Sequence, residues 1–379
     1  MILVARPLLG IEEETAILEV LASGQLAQGE RVAAFERRFA ELCSVKEAVA
    51  VSSGTAALHL SLLAHDIGPG DEVITTSFSF AATANTILLV GATPVFVDIE
   101  PDSYNLNPTL VEAAITPRTK AILPVHLYGY PCDMKQLEAI AKVHNLVLIE
   151  DASQAHAAAL DGKPVGSFGT GCFSFYPTKN MTTGEGGIVT TNDPAIAERV
   201  RLLRSHGQKE RYKHVALGYN LRMTEMQAAL GLAQVEKLGG FTERRIANAA
   251  FLTECLGKVV RTPVARSGYR HVYHQYTIRV PDERDEWAKV LHERGVGTAI
   301  HYPLAIHQQP FYQASAHLYR IASAVKTGAD EEFERKQMQQ IRLPVAETAA
   351  KQVLSLPVHP ALGKDDLKKI AEEVLALCA

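Results

Sequence analysis

The chain of 379 residues has no excess of charge of either sign: 38 Lys and Arg stand against 42 Asp and Glu, a formal net charge of -4. With a sequence pI near 6.4 it offers no basic field to gather nucleic acid or anionic lipid, so neither is an expected partner. Cysteine is sparse and unpatterned. The five residues Cys43, Cys132, Cys172, Cys255 and Cys378 are odd in number and form no C-x-x-C, which argues against a disulfide framework or a zinc knuckle. Reduced thiols, a cytoplasmic location and no metal are the expectation. Nothing approaches the roughly 20 apolar residues of a membrane span. The opening MILVARPLLGIEEE is broken by Arg6 and Pro7 and followed by acids, unlike a signal peptide. There is no G-x-G-x-x-G and no G-x-x-x-x-G-K, so dinucleotide and NTP sites are not signalled. Internal repeats and low-complexity tracts are also missing.

What is present is an ordinary globular composition, 47% hydrophobic and 21% charged, on a chain long enough for one large domain and a smaller one. Residues 11 to 42 read as two helical segments split by SGQLAQG. From about 46 to 192, short runs rich in Val and Ile (AVAVSS, EVITTS, TPVFVDI, TKAILPVHL, LVLIED, CFSFYP, GGIVTT) alternate with amphipathic stretches. Strands buried on both faces of a mostly parallel sheet look like this. The expectation is an α/β fold: a three-layer large domain over 1-245, then a small C-terminal α+β domain over 246-379. In the latter, YHQYTIRV, EWAKVLHERG and TAIHYP follow a strand, helix, strand order, and KDDLKKIAEEVLALC closes the chain as a helix. The polar stretch 326 to 340 reads as an exposed helix or loop.

Three places carry chemistry. AVAVSS runs into SGTAAL, which sets Ser53, Gly54 and Thr55 where a helix begins; free N-H groups there suit a phosphate, although a Ser at this place is also an ordinary N-cap. LVLIED ends a buried strand with Glu150 and Asp151, followed by Gln154. A carboxylate at the end of a parallel strand points into the crevice where such sheets bind ligands, and Asp151 there can hold a heteroaromatic nitrogen protonated. A cap on the next helix is the plain alternative. In CFSFYPTKNMTTGEGG, Lys179 follows another strand among aromatic and small neighbours, a setting that disfavours the ammonium form, as a Schiff-base lysine requires. Ser174 lies on the same strand and can add a hydroxyl to a phosphate. The ordinary fate of a lysine is the surface, but phosphate turn, strand-end Asp and strand-following Lys stand in the order that fold type I pyridoxal-phosphate enzymes use.

The chain resembles the DegT/DnrJ/StrS family of aminotransferases acting on nucleotide-linked keto sugars. The likeness rests on SGTAAL, GPGDEVITTSFSFAATAN, GATPVFVDI, PVHLYG, EDASQAH, GSFGTGCFSFYPTKN, GEGG and GYNLRMTEMQAALG and covers nearly the whole chain. It implies pyridoxal 5'-phosphate as cofactor, with Lys179 forming the Schiff base, Asp151 pairing the ring nitrogen and Gln154 near the phenolic oxygen. Gly54, Thr55 and Ser174 would hold the phosphate, and Phe80 would stack on the ring. Asn220 would reach the phosphate of a neighbouring subunit, which implies a homodimer with shared active sites. The donor would be glutamate or glutamine, and the acceptor a keto group at sugar carbon three or four. Relatives that dehydrate carry histidine in place of the lysine, so Lys179 points away from them; a cyclitol aminotransferase on the same scaffold and a non-catalytic regulatory protein are the other readings. His301, Tyr302 and His307 fall in a region that could face substrate, a core or surface role being the plain alternative for each. Residues 314 to 342 form a longer, charged insertion than relatives usually have, at a wall of the acceptor pocket.

Overall fold

The computed structural model describes residues 1 to 322 and 342 to 378. Two helices, Ile11–Ser23 and Glu30–Cys43, open the chain. The first stops at Gly24, whose φ of 68° is the left-handed turn that ends helices. The second has no cap of its own; the buried carboxylate of Glu225 accepts the N-H groups of Gly29, Arg31 and Val32 instead. Its buried face, with Val32, Phe35 and Phe39, covers one side of the sheet that follows.

That sheet has eight strands, in the order Glu47–Val51, Gly187–Thr191, Thr170–Ser174, Val147–Asp151, Thr119–Leu123, Glu72–Thr76, Thr93–Val97 and Arg320–Ile321. Every strand runs in one direction except Gly187–Thr191, which is antiparallel to both neighbours. Alternate residues feed separate cores. Val49, Val51, Ile149 and Val189 face the layer holding the helices Gly54–Ala64 and Pro194–Arg204, whereas Ala48, Ala50, Phe173 and Ile188 face the opposite layer. Covered on both faces, these strands are buried along most of their length, and this is the mostly parallel three-layer α/β architecture expected from the sequence.

The 32-residue helix Glu225–Leu256 starts with a capping box, Thr224 with Gln227, and passes from the large-domain core to a second core. Residue 245, where the division was drawn, falls within it. The second core gathers Leu252, Leu256, Tyr276, Ile278, Leu291, Leu354, Leu356 and Ile370 around an antiparallel pair, Tyr276–Arg279 with Val353–Leu356, and the helices Arg284–Glu293 and Lys364–Cys378. TAIHYP is not a regular strand. Ala299 exchanges both backbone hydrogen bonds with Ser355, and the chain then leaves the pair to present His301 and Tyr302 elsewhere.

The insertion at 314 to 342 begins by returning to the large sheet: Arg320 and Ile321 pair in parallel with Val95 and Phe96 at its edge. Arg320 also bonds the buried carboxylate of Glu72. Farther along the chain, Asp98 accepts the N-H groups of Val345 and Ala346 and so caps the helix Pro344–Gln352 from the sheet side. The stretch 326 to 340 lies outside the described residues.

Candidate active site

The carboxyl ends of the parallel strands open into a cavity of about 550 Å³. On one side stands the N-terminus of the helix Gly54–Ala64. Ser53 is extended, and its Oγ accepts the Ala56 N-H at 3.1 Å; the N-cap reading therefore holds. The cap uses one of the four N-H groups a helix start leaves without helical partners, and those of Gly54 and Thr55 remain at the cavity. Gly54 is glycine for a packing reason: a Cβ there would lie 2.6 Å from Cβ of Ser174. Gly187 is equally constrained: a Cβ there would lie 2.2 Å from the Ser53 carbonyl oxygen. These approaches hold helix start, Ser174 and the GEGG turn in one cradle.

Val147–Asp151 ends in two carboxylates on opposite faces, as strand alternation requires. Glu150, fully buried, accepts the N-H groups of Gly166, Phe168 and Gly169 at 2.8, 2.9 and 3.0 Å. His126 Nδ1 accepts the Cys132 N-H, which leaves Nε2 to donate to Glu150 at 3.1 Å. Asp151, 5% exposed, faces the cavity. It accepts the Thr83 hydroxyl at 2.8 Å and the Ser153 N-H at 3.2 Å. No helix follows it, so its carboxylate caps none.

Lys179 enters the same cavity from the turn after Thr170–Ser174. Its N-H bonds the Tyr176 carbonyl, and Asn180 beside it donates to the carbonyl of Val272 at 3.1 Å. Burial pushes the Lys179 amine down to about 8, against the opposing pull of the Asp151 charge. Beneath it His156 is completely buried, edge-on to Phe39 and close to Phe173 and Phe175.

The far wall comes from distant segments. Gln154 accepts the Tyr128 N-H at 2.8 Å, which fixes its amide so that Nε2 donates to the Tyr302 hydroxyl at 3.1 Å. The Tyr128 hydroxyl donates to the His301 carbonyl. His301 Nδ1 lies 3.3 Å from Ser355 Oγ. Phe80 is 61% exposed at the mouth, its ring 6.2 Å from that of Tyr302.

The structure thus gathers Gly54, Thr55, Phe80, Asp151, Gln154, Ser174, Lys179, His301 and Tyr302 around one space. Two residues lie elsewhere. His307 is buried behind the wall, with Nδ1 2.6 Å from Ser77 Oγ and Nε2 3.3 Å from Glu347; satisfied on both nitrogens, it fastens the helix Pro344–Gln352 to the sheet and does not line the cavity, which corrects its grouping with His301 and Tyr302. Asn220 is exposed and does not line this chain's cavity. Conversely, Thr83, Tyr176, Glu185, His274 and Gln275 line it without having been singled out. Thr83 sits inside the quoted SFSFAATAN, but nothing local marks His274 or Gln275. Among the described residues no group of side chains is arranged to hold a metal, and no helix is long and apolar enough to cross a membrane.

The family model of the DegT/DnrJ/EryC1/StrS aminotransferases matches residues 7–375. The chain is 44% identical over 362 residues to a "Pleiotropic regulatory protein" of Geobacillus stearothermophilus, covering 94% of this chain and 91% of the relative. It is 42% identical over 360 residues to the UDP-N-acetyl-3-dehydro-alpha-D-glucosamine 3-aminotransferase of Acidithiobacillus ferrooxidans, with the same coverage. Among solved structures, DesV of S. venezuelae in complex with a ketimine intermediate superposes with a TM-score of 0.88 at 40% identity, covering 97% of this chain and 94% of DesV. With a cavity uniting a buried-side amine, a strand-end carboxylate and a helix N-terminus, and a match spanning nearly its full length, the chain belongs to the DegT/DnrJ/EryC1/StrS aminotransferase family and is a transferase of nitrogenous groups.

Proposed function

We propose that this chain binds pyridoxal 5'-phosphate and moves an amino group from glutamate or glutamine to the keto group of a nucleotide-linked deoxysugar. The observation that carries this is the opening of Lys179 and Asp151 into one cavity beside the helix start at Gly54 and Thr55. The residues fit the cofactor: two helix N-H groups and the Ser174 hydroxyl match a phosphate, a buried carboxylate matches a pyridinium, and an amine of lowered pKa matches Schiff-base attachment.

When bound, the cofactor supplies an electron sink for the bond being broken at the substrate carbon. The protein's own groups do the rest. Lys179 would hold the cofactor, and its amine, of lowered basicity, would hold and return the proton moved between carbons. Asp151 would keep the ring nitrogen protonated, with the Thr83 hydroxyl holding its carboxylate in line. Phe80, exposed at the cavity, would cover one face of the ring. Gln154, braced by the Tyr128 N-H, offers its amide to the phenolic oxygen or to Tyr302.

The relative named for a 3-aminotransferase favours amination at carbon three over carbon four. Asn220, exposed and away from this chain's own cavity, suits a homodimer in which it completes the partner's site, and a cytoplasmic enzyme fits the free thiols. A second reading, a regulatory homologue, is favoured by the relative named as a regulatory protein. Turnover separates the two. Holoenzyme given glutamate should lose its long-wavelength band, and labelled nitrogen should then appear on a nucleotide keto sugar. Transfer to an inosose and never to a sugar would sink the sugar reading; no transfer to any ketone would sink the enzyme reading.

A further inference from the structure

Glu150 and Asp151 end the same strand, but their carboxylates are satisfied differently. Glu150 takes three backbone N-H groups and the His126 imidazole, which closes it to anything further. Asp151 takes one donor on each oxygen, the Ser153 N-H at 3.2 Å on Oδ1 and the Thr83 hydroxyl at 2.8 Å on Oδ2, and keeps lone pairs free at the cavity it lines. Behind the Thr83 hydroxyl stands a second one. Ser79 Oγ lies 2.9 Å from Thr83 Oγ1, and the two residues are 4% and 1% exposed. A hydroxyl has a single hydrogen, and an ionised carboxylate can only accept. The Thr83 hydrogen therefore goes to Asp151, and its bond with Ser79 must run the other way: Ser79 donates to Thr83, and Thr83 donates to Asp151.

Both hydroxyls are held from outside the chain they form. Thr83 lies in the first turn of the helix Ala82–Leu89, its N-H on the Phe80 carbonyl and its own carbonyl accepting the Thr86 hydroxyl. The turn carrying Ser79 is fastened at Ser77, whose carbonyl accepts the Ile306 N-H at 2.7 Å and whose hydroxyl meets His307 Nδ1. What such a chain can do follows from the proton that a carboxylate shares with a heteroaromatic nitrogen. On the nitrogen it leaves an ion pair; on the carboxylate it leaves two neutral groups. Burial favours the neutral pair, because charges taken from water are costly. Hydrogen bonds donated to the carboxylate favour its charged form. The balance has a chemical meaning, since the protonated ring is the stronger electron sink.

We propose that Ser79 is a positioning residue which, by donating to Thr83, makes Thr83 the donor that keeps the shared proton on the cofactor's ring nitrogen and off Asp151. The inference rests on the cofactor-dependent reading of the site. Ser79 polarises the Thr83 O-H and so strengthens its bond to Oδ2. It also occupies the Thr83 oxygen, which leaves the Thr83 hydrogen aimed at the carboxylate. Without the pair the proton moves from the ring nitrogen to a carboxylate oxygen: one N-H bond breaks, one O-H bond forms, and nothing is exchanged with solvent.

The test uses holoenzyme carrying pyridoxal 5'-phosphate isotopically labelled at the ring nitrogen, whose magnetic resonance shift reports whether the ring is protonated. At neutral pH the wild type should show the protonated ring. Thr83→Val, close in shape but without the hydroxyl, should move the signal toward the unprotonated ring and lower kcat roughly tenfold, with KM for glutamate nearly unchanged. Ser79→Ala should move it the same way by less, with kcat down about threefold. Added to Thr83→Val, Ser79→Ala should change nothing more, since it acts through Thr83 alone. Thr83→Ser keeps the hydroxyl and should keep the wild-type signal. An unprotonated ring in the wild type overturns the proposal, and this needs no variant to fold. So does a ring signal unmoved in Ser79→Ala or Thr83→Val protein that retains the cofactor, or an effect of Ser79→Ala that is the same with and without the Thr83 hydroxyl. A wild type that takes up no cofactor sinks the reading of the site and the relay with it. A ring signal that follows Thr83 and Ser79, in a wild type that moves no nitrogen to any ketone, upholds the relay and sinks the function proposed above.

Discussion

The floor of the cavity and its far wall are held by different means. On the floor, Asp151 and Ser174 end strands of one sheet, and Gly54 starts the helix after a third. Backbone ladders fix all of them, and close approaches such as Gly54 on Ser174 leave no room for a methyl group. On the wall, His274, His301 and Tyr302 sit outside regular elements and are held by side-chain hydrogen bonds, Gln154 to Tyr302, Tyr128 to the His301 carbonyl, and Arg245 and Asn180 to the loop of His274. A rigid floor suits chemistry common to every substrate. A wall of individually tied side chains can change its selectivity without disturbing that chemistry.

The comparison breaks first if a floor residue proves dispensable. Lys179→Ala should abolish the cofactor's lysine-dependent absorption band and lower turnover by about 10⁴-fold or more, the upper range for a positioned acid-base group. Asp151→Asn should lower kcat by about 10²- to 10³-fold, the scale of losing one preorganised electrostatic partner, with the glutamate-dependent spectral change slowed alongside. Retention of most activity in either variant would mean that the chemistry sits elsewhere.

Stability gives the next largest effects. Glu150 accepts three backbone N-H groups and the His126 imidazole in full burial, so Glu150→Gln turns an amide donor toward groups that are themselves donors. The expected cost is about 3 kcal/mol, read as a lowered urea midpoint, with Asp151 less firmly held on the reverse face of the strand. His156 lies under the same floor, its basicity pushed down to about 3 by burial. Unfolded, it titrates near 6.5. Between those values the unfolded chain binds the extra proton, so stability falls as pH drops below about 6.5, by roughly 1.4 kcal/mol per unit. His156→Phe should flatten that slope; an unchanged slope would place the acid sensitivity in other histidines.

The same contrast governs what could be read from the sequence. The floor was legible because its parts are local: a strand ending in Asp151, a turn carrying Lys179, a helix start at Gly54, each marked by a Val- and Ile-rich run. The alternation of strands and helices gave the parallel sheet for the same reason. The wall was not, since His274 approaches Lys179 only through a loop pinned by Arg245 and Asn180, and no spacing rule links residues so far apart in the chain. His307 shows the opposite error. It stands near His301 in the sequence, but the chain turns between them and sends it to Ser77 and Glu347. Nor does composition reveal that the charged insertion first adds Arg320 and Ile321 to the sheet edge.

The smallest effect expected is also the one that discriminates best between floor and wall. Tyr302→Phe removes only the hydroxyl that accepts from Gln154 Nε2. Gln154 stays anchored through the Tyr128 N-H, the Tyr128 hydroxyl still reaches the His301 carbonyl, and the ring still flanks Phe80. What is lost is one neutral hydrogen bond, about 1 kcal/mol or roughly fivefold. If the wall selects and the floor reacts, that factor belongs in KM for the keto acceptor, with kcat nearly unchanged. Steady-state assays on the variant resolve the two. A fall in kcat of a hundredfold with KM intact would show the Tyr302 hydroxyl acting on the reacting atoms, and the wall would then be part of the machinery the floor was thought to hold alone.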